Sequence, residues 1–388
     1  MSNQSDRKSL KNCVRHFTWA WHTIVMGTGA VAALVSRFHF AQDSEATKFI
    51  TLVLFFLDLC FFVLICGATV ARYYMFPELW SAMLRHQTQS LFIGAFPMGA
   101  ATLINIALVA HQSYSFAGPG FLYFLWALWW LVSAISLLTA VGMIYVMMTK
   151  HQHSLSGMSA LWILPMVTLI VSSSTGGLLA SALTAHPTFV SLTTAISFTL
   201  LSMGLSLALM IITVYLMRLA IHGPLDAHLI LSSFIILGPL GQGGFSLLVN
   251  SQNLAKLHLG ASLSAEAIQS VCFCAAWVLW SMGLIWLCIA FCSIYSVLRR
   301  QSIPFSVAYW GIVFPNAVFA LLTVELGSIL DSPVLHYLGA IFSVLVFLLW
   351  IFVFLKTIPA IWNTTAFSSP CVLRLDEETL ASSHEECA

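Results

Sequence analysis

Charged side chains are scarce in this sequence. Asp, Glu, Lys and Arg together make up 7% of its 388 residues, whereas soluble domains carry about 25%. So few charges cannot solvate the surface of a folded chain of this length, and a water-soluble globule is excluded. A disordered chain is excluded as well, because 60% of the residues are hydrophobic and disorder requires low hydrophobicity. The composition therefore indicates a membrane protein.

The low net charge and the absence of catalytic or nucleotide-binding motifs exclude several classes of function. The formal net charge is only +1, so a nucleic-acid partner bound through bulk basicity is not expected. Zinc-protease, nucleophile-elbow, P-loop and dinucleotide-binding motifs do not occur in a supporting context. We therefore expect no enzyme activity, no ATP-driven step and no cofactor. His151 and His153 form a pair in a loop without a third ligand nearby, so no metal site is predicted.

Ten apolar stretches are long enough to cross a membrane, for which about 20 residues are needed. They predict an all-α polytopic membrane protein with an N-terminal segment at 1–18, a ten-helix transmembrane domain at 19–357 and a C-terminal tail at 358–388. The predicted spans are 19–38, 50–74, 91–110, 121–149, 158–183, 189–221, 227–249, 266–298, 303–327 and 334–356.

The basic residues orient these spans. With an even number of spans, both termini lie on the same side as the loops that follow even-numbered spans. Twelve of the 15 Lys and Arg residues fall on that side, and the other side holds only Arg37, Lys48 and Lys256. Because basic residues concentrate in cytoplasmic loops, both termini are predicted to be cytoplasmic.

Glycine and proline are distributed unevenly over the spans. Gly-rich strings occur in the odd-numbered spans, and no even-numbered predicted span contains an internal Pro. Pro kinks a helix and Gly admits close approach, and lipid cannot satisfy backbone groups that a kink frees. We therefore expect five helical hairpins in which broken odd helices surround a central anion pore. Close packing of helices is the alternative explanation. The expected kink positions are Gly27, Gly29, Pro97, Gly99, Pro165, Gly176, Pro239, Gly241, Gly243 and Pro315.

Polar but uncharged side chains lie within the odd-numbered spans. Hydroxyl and amide groups offer hydrogen-bond donors that coordinate anions, and without a ring of cations the binding would be weak, which favours throughput. The intramembrane carboxylates Asp58 and Glu325 are candidates for titratable coupling, although a structural role for each stays open. The residues expected to line the conduit are His22, Thr28, Asn105, Thr168, Ser172, Gln242 and Asn316.

Four strings in the odd spans resemble one transporter family. They are Trp19-Ala20-Trp21 followed by Met26-Gly27-Thr28-Gly29, the segment 89–99, the segment 238–244, and Val313-Phe314-Pro315-Asn316. The sequence is similar over about 14–357 to the tellurite-resistance/dicarboxylate transporter family, which includes plant slow-type anion channels, fungal malate transporters and fungal sulfite-efflux pumps. It looks most like the sulfite-efflux pumps of the fungal branch.

The resemblance implies quasi-fivefold hairpins, an anion pore in each protomer of a homotrimer embedded in lipid, and a gating role for Phe314. The leading expectation is export of sulfite or bisulfite across the plasma membrane. Proton-coupled transport of a C4-dicarboxylate such as malate, or an anion channel, is the alternative, with Glu325 and His22 as the titratable candidates. A membrane enzyme or sensor would need a convergent titratable cluster, which the odd spans do not contain.

Overall fold

Within the residues that the structure describes, all regular secondary structure is helical. The computed structural model describes residues 9–41, 44–114, 117–256, 264–373 and 375–376, so most of the predicted segment 1–18 is described and most of the acidic end of the tail is not. Ten of its helices are long and apolar enough to cross a membrane, which confirms the all-α polytopic prediction. The α-helices of these spans are α1 (His22–Ser36), α2 (Glu45–Met75), α3 (Ala95–Tyr114), α4 (Gly118–Lys150), α5 (Leu164–Ala182), α6 (Pro187–His222), α7 (Leu237–Leu254), α8 (Ala265–Leu298), α9 (Val313–Leu330) and α10 (Pro333–Trp362). Each odd-numbered span also includes the short 3₁₀ segment that precedes its α-helix.

The odd-numbered helices form a closed inner ring. Each contacts the next one along the chain, and α9 packs against α1 to close the ring. Each even-numbered helix packs on the odd helix that precedes it. The most apolar windows of α5 and α7 are 94% buried, whereas those of α2 and α10 are 28% buried. The even helices therefore present apolar side chains outward, where lipid would cover them.

A short 3₁₀ segment leads directly into each odd-numbered α-helix. Four of these α-helices have a proline just after this junction. Pro97, Pro165, Pro239 and Pro315 occupy the second or third residue of their α-helices. The residue four positions before each of these prolines lies in the 3₁₀ segment, and Pro has no N–H to donate to its carbonyl, so the backbone ladder is interrupted at this junction. The geometry therefore changes from 3₁₀ to α beside each of these prolines, inside a continuous span, and the kinks expected at these positions stay predictions. The 3₁₀ segments are Trp19–Trp21, Ser90–Gly94, Ala160–Ile163, Ile230–Ile236 and Val307–Ile312.

The singled-out glycines serve close packing. A Cβ added at Gly99 would lie 3.1 Å from Val25 Cγ1, and one added at Gly243 would lie 3.0 Å from Leu205 Cδ1 of the outer helix α6. A side chain added at Gly243 would therefore meet outer helices and not the central conduit, and the packing explanation applies at this position. Neighbouring helices also crowd Gly27, Gly29, Gly176 and Gly241.

One even-numbered helix does contain an internal proline. The predicted tenth span stops at residue 356, but α10 continues to Trp362 and includes Pro359. Because Pro359 lies in the last turn, beyond the long apolar run, the hydropathy pattern did not include it.

The chain after α10 folds back against the starting ends of the inner helices. The Ser369 hydroxyl accepts a hydrogen bond from Arg72 Nη2 at 3.3 Å, and the Ser369 backbone N–H donates to His16 Nδ1 at 3.3 Å. The ring of Phe367 stacks on Trp21 with a centroid distance of 5.2 Å. Part of the predicted tail is thereby packed against the helical domain.

Candidate functional site

A cavity of about 250 Å³ lies inside the ring, between the C-terminal halves of the odd helices; we call it the C-end cavity. All five inner helices contribute to its lining, and among the described lining residues none comes from an even-numbered helix. Its lining includes several hydroxyl and amide side chains. They belong to Ser36, Thr102, Asn105, Gln112, Ser181, Gln242 and Gln252.

A second cavity, of about 320 Å³, lies at the other end of the ring; we call it the N-end cavity. It is lined by residues of the 3₁₀ segments, of the loops before them, and of the returning chain at 365–370. Among the described residues that line it, none is Asp, Glu, Lys or Arg. The N-terminal ends of five inner helices point toward this side, and such ends carry partial positive charge.

The two cavities are separated at the start of α9. Phe314 lines the C-end cavity and Gly311, one turn earlier, lines the N-end cavity. In the described part of the chain, no residue lines both. The Phe314 side chain is 2% exposed, so its ring is buried where the two cavities approach each other. The inner ring is closed at this level.

Two of the polar residues expected to line the conduit do line the C-end cavity. Asn105 lies on α3, and its Oδ1 has no hydrogen-bond partner among the described residues. Gln242 lies on α7, and its amide nitrogen donates to the hydroxyl of Ser174. Both residues therefore line the same space, although Asn105 Oδ1 itself is buried.

Three predicted hydroxyls instead face outer helices. Thr28 Oγ1 accepts from Trp350 Nε1 of α10 at 3.1 Å. Thr168 Oγ1 donates to the backbone carbonyl of Ser136 on α4 at 3.1 Å, and Ser172 Oγ lies 2.7 Å from Ser133 Oγ on the same helix. The hydroxyls of these three residues hydrogen-bond inner helices to outer ones. The expectation that they line the conduit is therefore wrong.

His22 and Asn316 also lie away from the two cavities. His22 Nε2 is 3.2 Å from Thr69 Oγ1 of α2, and its ring stacks on Trp19 at a centroid distance of 5.2 Å. Asn316 donates through Nδ2 to the carbonyl of Ile312, the last residue of the 3₁₀ segment before α9, at 2.7 Å. Both side chains make contacts at the beginning of their helices. The expectation that they line the pore is therefore wrong for each.

Asp58 lies directly behind the cavity wall. It is fully buried on α2, and neither carboxylate oxygen has a hydrogen-bond partner among the described residues. A Cβ added at Gly29, which lines the C-end cavity, would lie 3.1 Å from Asp58 Oδ2. A purely structural role for Asp58 would be expected to involve a hydrogen bond to a neighbour. Among the described residues, its carboxylate makes no such bond.

Arg37 is a functional candidate that the sequence motifs did not single out. It directly follows α1 and lines the open end of the C-end cavity, where its Nη1 lies 2.8 Å from Glu325 Oε2. The expectation of a conduit without any cation is therefore corrected at this end. A signal did exist, because Arg37 is one of only three basic residues on its side of the predicted membrane.

The loop histidines and the buried cysteine of the described residues bear on metal binding. They contain no group of three His, Cys, Asp or Glu side chains placed to hold a metal ion. Burial, and then the neighbouring His151, lower the pKa of His153. Burial also raises the pKa of the Cys371 thiol to about 11, so this group is an uncharged thiol at neutral pH. Uncharged thiols are poor nucleophiles and poor metal ligands.

Known proteins match nearly the whole chain. The family described as voltage-dependent anion channel matches residues 16–358. This chain belongs to that family. A sulfite efflux pump of Trichophyton rubrum is 32% identical over 350 residues, which cover 89% of this chain and 91% of the relative. A sulfite efflux pump of Candida albicans is 29% identical over 86% of this chain and 72% of the relative. A malic acid transport protein of Schizosaccharomyces pombe is 24% identical, covering 88% and 78% respectively.

Proposed function

We propose that this protein exports sulfite or bisulfite across the plasma membrane, along the axis of the inner ring of each protomer. The observation that carries the proposal is the C-end cavity, which lies on that axis and is lined by all five inner helices. Membership of an anion-channel family supports an anion as the cargo. The names of the relatives at 29–32% identity support sulfite as the particular anion.

The electrostatics of the path suit an anion that leaves the cell. Inner-helix N-termini gather anions at the N-end cavity, and we propose that this end faces the cytoplasm, as the distribution of basic residues predicts. A membrane potential that is negative inside drives an anion outward with about 2.3 kcal/mol per charge per 100 mV. Export therefore needs no ATP site. Mostly neutral polar walls would bind the anion weakly and release it readily.

Phe314 is the proposed gate of this path. Its buried ring lies at the inner end of the C-end cavity, one turn from a residue of the N-end cavity. An aromatic ring offers an anion no strong hydrogen-bond donor, so it acts as a hydrophobic barrier that resists wetting. Opening would require this ring to move away from the axis.

Transport of a C4-dicarboxylate such as malate is the second candidate, because one relative is a malic acid transport protein. A dianion would be held best by several cations. Among the described residues that line the C-end cavity, Arg37 is the one Lys or Arg, and it is paired with Glu325. This charge distribution therefore suits the monoanion bisulfite better than a dianion, whether that dianion is malate or fully deprotonated sulfite.

We further propose that the protein works as a homotrimer in lipid and has no catalytic role. The relatives named above are transport proteins, which supports a transport function rather than an enzymatic one. The outer helices carry strongly exposed apolar side chains such as Leu64 and Val70, each 69% exposed. Lipid or a neighbouring protomer would cover such surfaces.

Reconstitution into liposomes tests the proposed cargo. Purified protein should carry sulfite faster than malate or chloride when each anion is driven by the same imposed potential. Liposomes without protein supply the background. Malate flux that exceeds sulfite flux would favour the second candidate, and no flux of any of the three would contradict an anion path.

A further inference from the structure

The open end of the C-end cavity contains an arginine that three inner helices hold in place. Arg37 follows α1, its Nη1 donates to Glu325 Oε2 of α9 at 2.8 Å, and its guanidinium lies 5.0 Å from the centroid of the Phe245 ring on α7. The side chains of Arg37 and Glu325 are 30% and 16% exposed. Both residues line the cavity, so the pair is in contact with the space through which the proposed cargo passes.

The helix geometry makes this end of the ring unfavourable for an anion unless a cation is present. All five inner helices end on this side, and the last carbonyl groups of a helix carry partial negative charge. Arg37 supplies positive charge there, and the Glu325 carboxylate cancels it. As long as the pair is intact, the cavity end has no net side-chain charge to retain an anion.

The guanidinium has donors to spare. A planar guanidinium offers five N–H groups in a fork that matches a carboxylate or a similar oxyanion. Within the described residues, Nη1 donates a hydrogen bond to Glu325 Oε2, which leaves other N–H groups of the fork for a second oxyanion. A carboxylate is itself a small planar oxyanion, so Glu325 occupies a position that a free oxyanion of similar size could take.

We propose that Arg37 is a binding site for a small oxyanion at the open end of the C-end cavity, and that Glu325 is a tethered competitor for it. An arriving sulfite or bisulfite exchanges with the Glu325 carboxylate on the guanidinium, and the tethered carboxylate then displaces the anion again. This arrangement keeps the site weak, which promotes release. The inference rests on the proposed function for the identity of the anion, but the competition itself does not depend on transport.

Binding measurements on the purified full-length protein test the proposal. Removing the competitor by Glu325→Gln should tighten sulfite binding, measured by calorimetry, by about fivefold, the upper range for an ion pair of this exposure. The double variant Arg37→Gln/Glu325→Gln should lose that gain. Glu45→Gln is the matched control, because it breaks the exposed Lys48–Glu45 pair, whose 2.9 Å length is similar, and it should leave sulfite binding unchanged.

The outcomes separate this site from the proposed cargo. If Glu325→Gln binds sulfite no tighter than the unmodified protein, or if the double variant keeps the gain, Arg37 is not the site. The same binding measurements are made with malate and with chloride. They apply if the protein in liposomes transports malate and not sulfite. A gain for malate that depends on Arg37 would then retain the site and overturn only the sulfite assignment. If Glu325→Gln does not elute as a monodisperse species, Glu325→Asp replaces it. The shorter side chain of Asp moves the carboxylate away from Arg37, so sulfite binding should again become tighter.

Discussion

A Cβ placed on Gly241 would lie 2.6 Å from the backbone nitrogen of Phe319. The inner helices α7 and α9 therefore approach each other backbone to backbone at this point, closer than any side chain at position 241 allows. The contact belongs to the ring of odd helices that surrounds the C-end cavity.

Replacing Gly241 with Ala should destabilise the protein by about 1–3 kcal/mol, the usual cost of overpacking a core position. A backbone atom cannot move aside as a flexible side chain can, so α7 and α9 must separate. Thermal unfolding in detergent measures the loss. Gly67→Ala is the control, because a Cβ at Gly67 meets nothing within 4 Å; it should be neutral or slightly stabilising. Equal melting temperatures for the two variants would contradict the close contact.

Truncating Phe314 to Ala should raise anion flux in liposomes, because it removes the ring between the two cavities and leaves a path that water can fill. Phe319→Ala is matched to it, since both residues lie on α9 and both are 2% exposed. Phe319 packs against Gly283 of α8 and does not line the C-end cavity, so its truncation should lower stability without raising flux. Lower flux for Phe314→Ala at equal surface expression would show that the ring supports the bundle instead.

Leucine at position 311 should block flux while the protein stays folded. A Cβ at Gly311 meets nothing within 4 Å, and the residue lines the N-end cavity next to the closed level. The same substitution at Gly243, where Leu205 is 3.0 Å from the added Cβ, should lower the melting temperature and the yield. If Gly311→Leu conducts normally, the path does not pass through the N-end cavity at that point.

Asp58→Asn should leave the melting temperature unchanged or raise it. The carboxyl group is fully buried without a partner among the described residues, and burying an uncompensated charge is costly. An amide of nearly the same shape removes that cost. Asp58→Ala serves as the comparison, because it leaves a void that should lower stability. A large loss of stability in Asp58→Asn would instead indicate that an ionised Asp58 has a partner.

Epitope tags test the proposed orientation. Tags at both termini should resist protease added to intact cells and become sensitive after permeabilisation, because both ends are predicted to be cytoplasmic. A tag inserted in the loop at 184–186, between α5 and α6, should be cleaved in intact cells. Cleavage of either terminal tag from outside would reverse the assignment.

Periodic and compositional features of the chain were sufficient for the architecture. Apolar run length predicted ten spans, because hydrocarbon thickness dictates the length of any helix that crosses it. The restriction of Gly-rich strings to odd spans indicated which helices lie inside, since close packing and backbone approach occur there. Family strings around Phe314 then suggested the gate. These signals are local, so they can be read without knowing which helices are neighbours.

The individual lining residues required the folded ring. Thr28 and Asn105 are both polar residues on inner helices, yet Thr28 faces Trp350 of an outer helix and Asn105 faces the cavity. Which way a side chain points depends on how each helix is rotated about its own axis. Packing against the neighbouring helices sets that rotation, and those helices come from distant parts of the chain. The Arg37–Glu325 pair joins residues 288 positions apart, so only the closure of α9 against α1 brings the guanidinium and the carboxylate together.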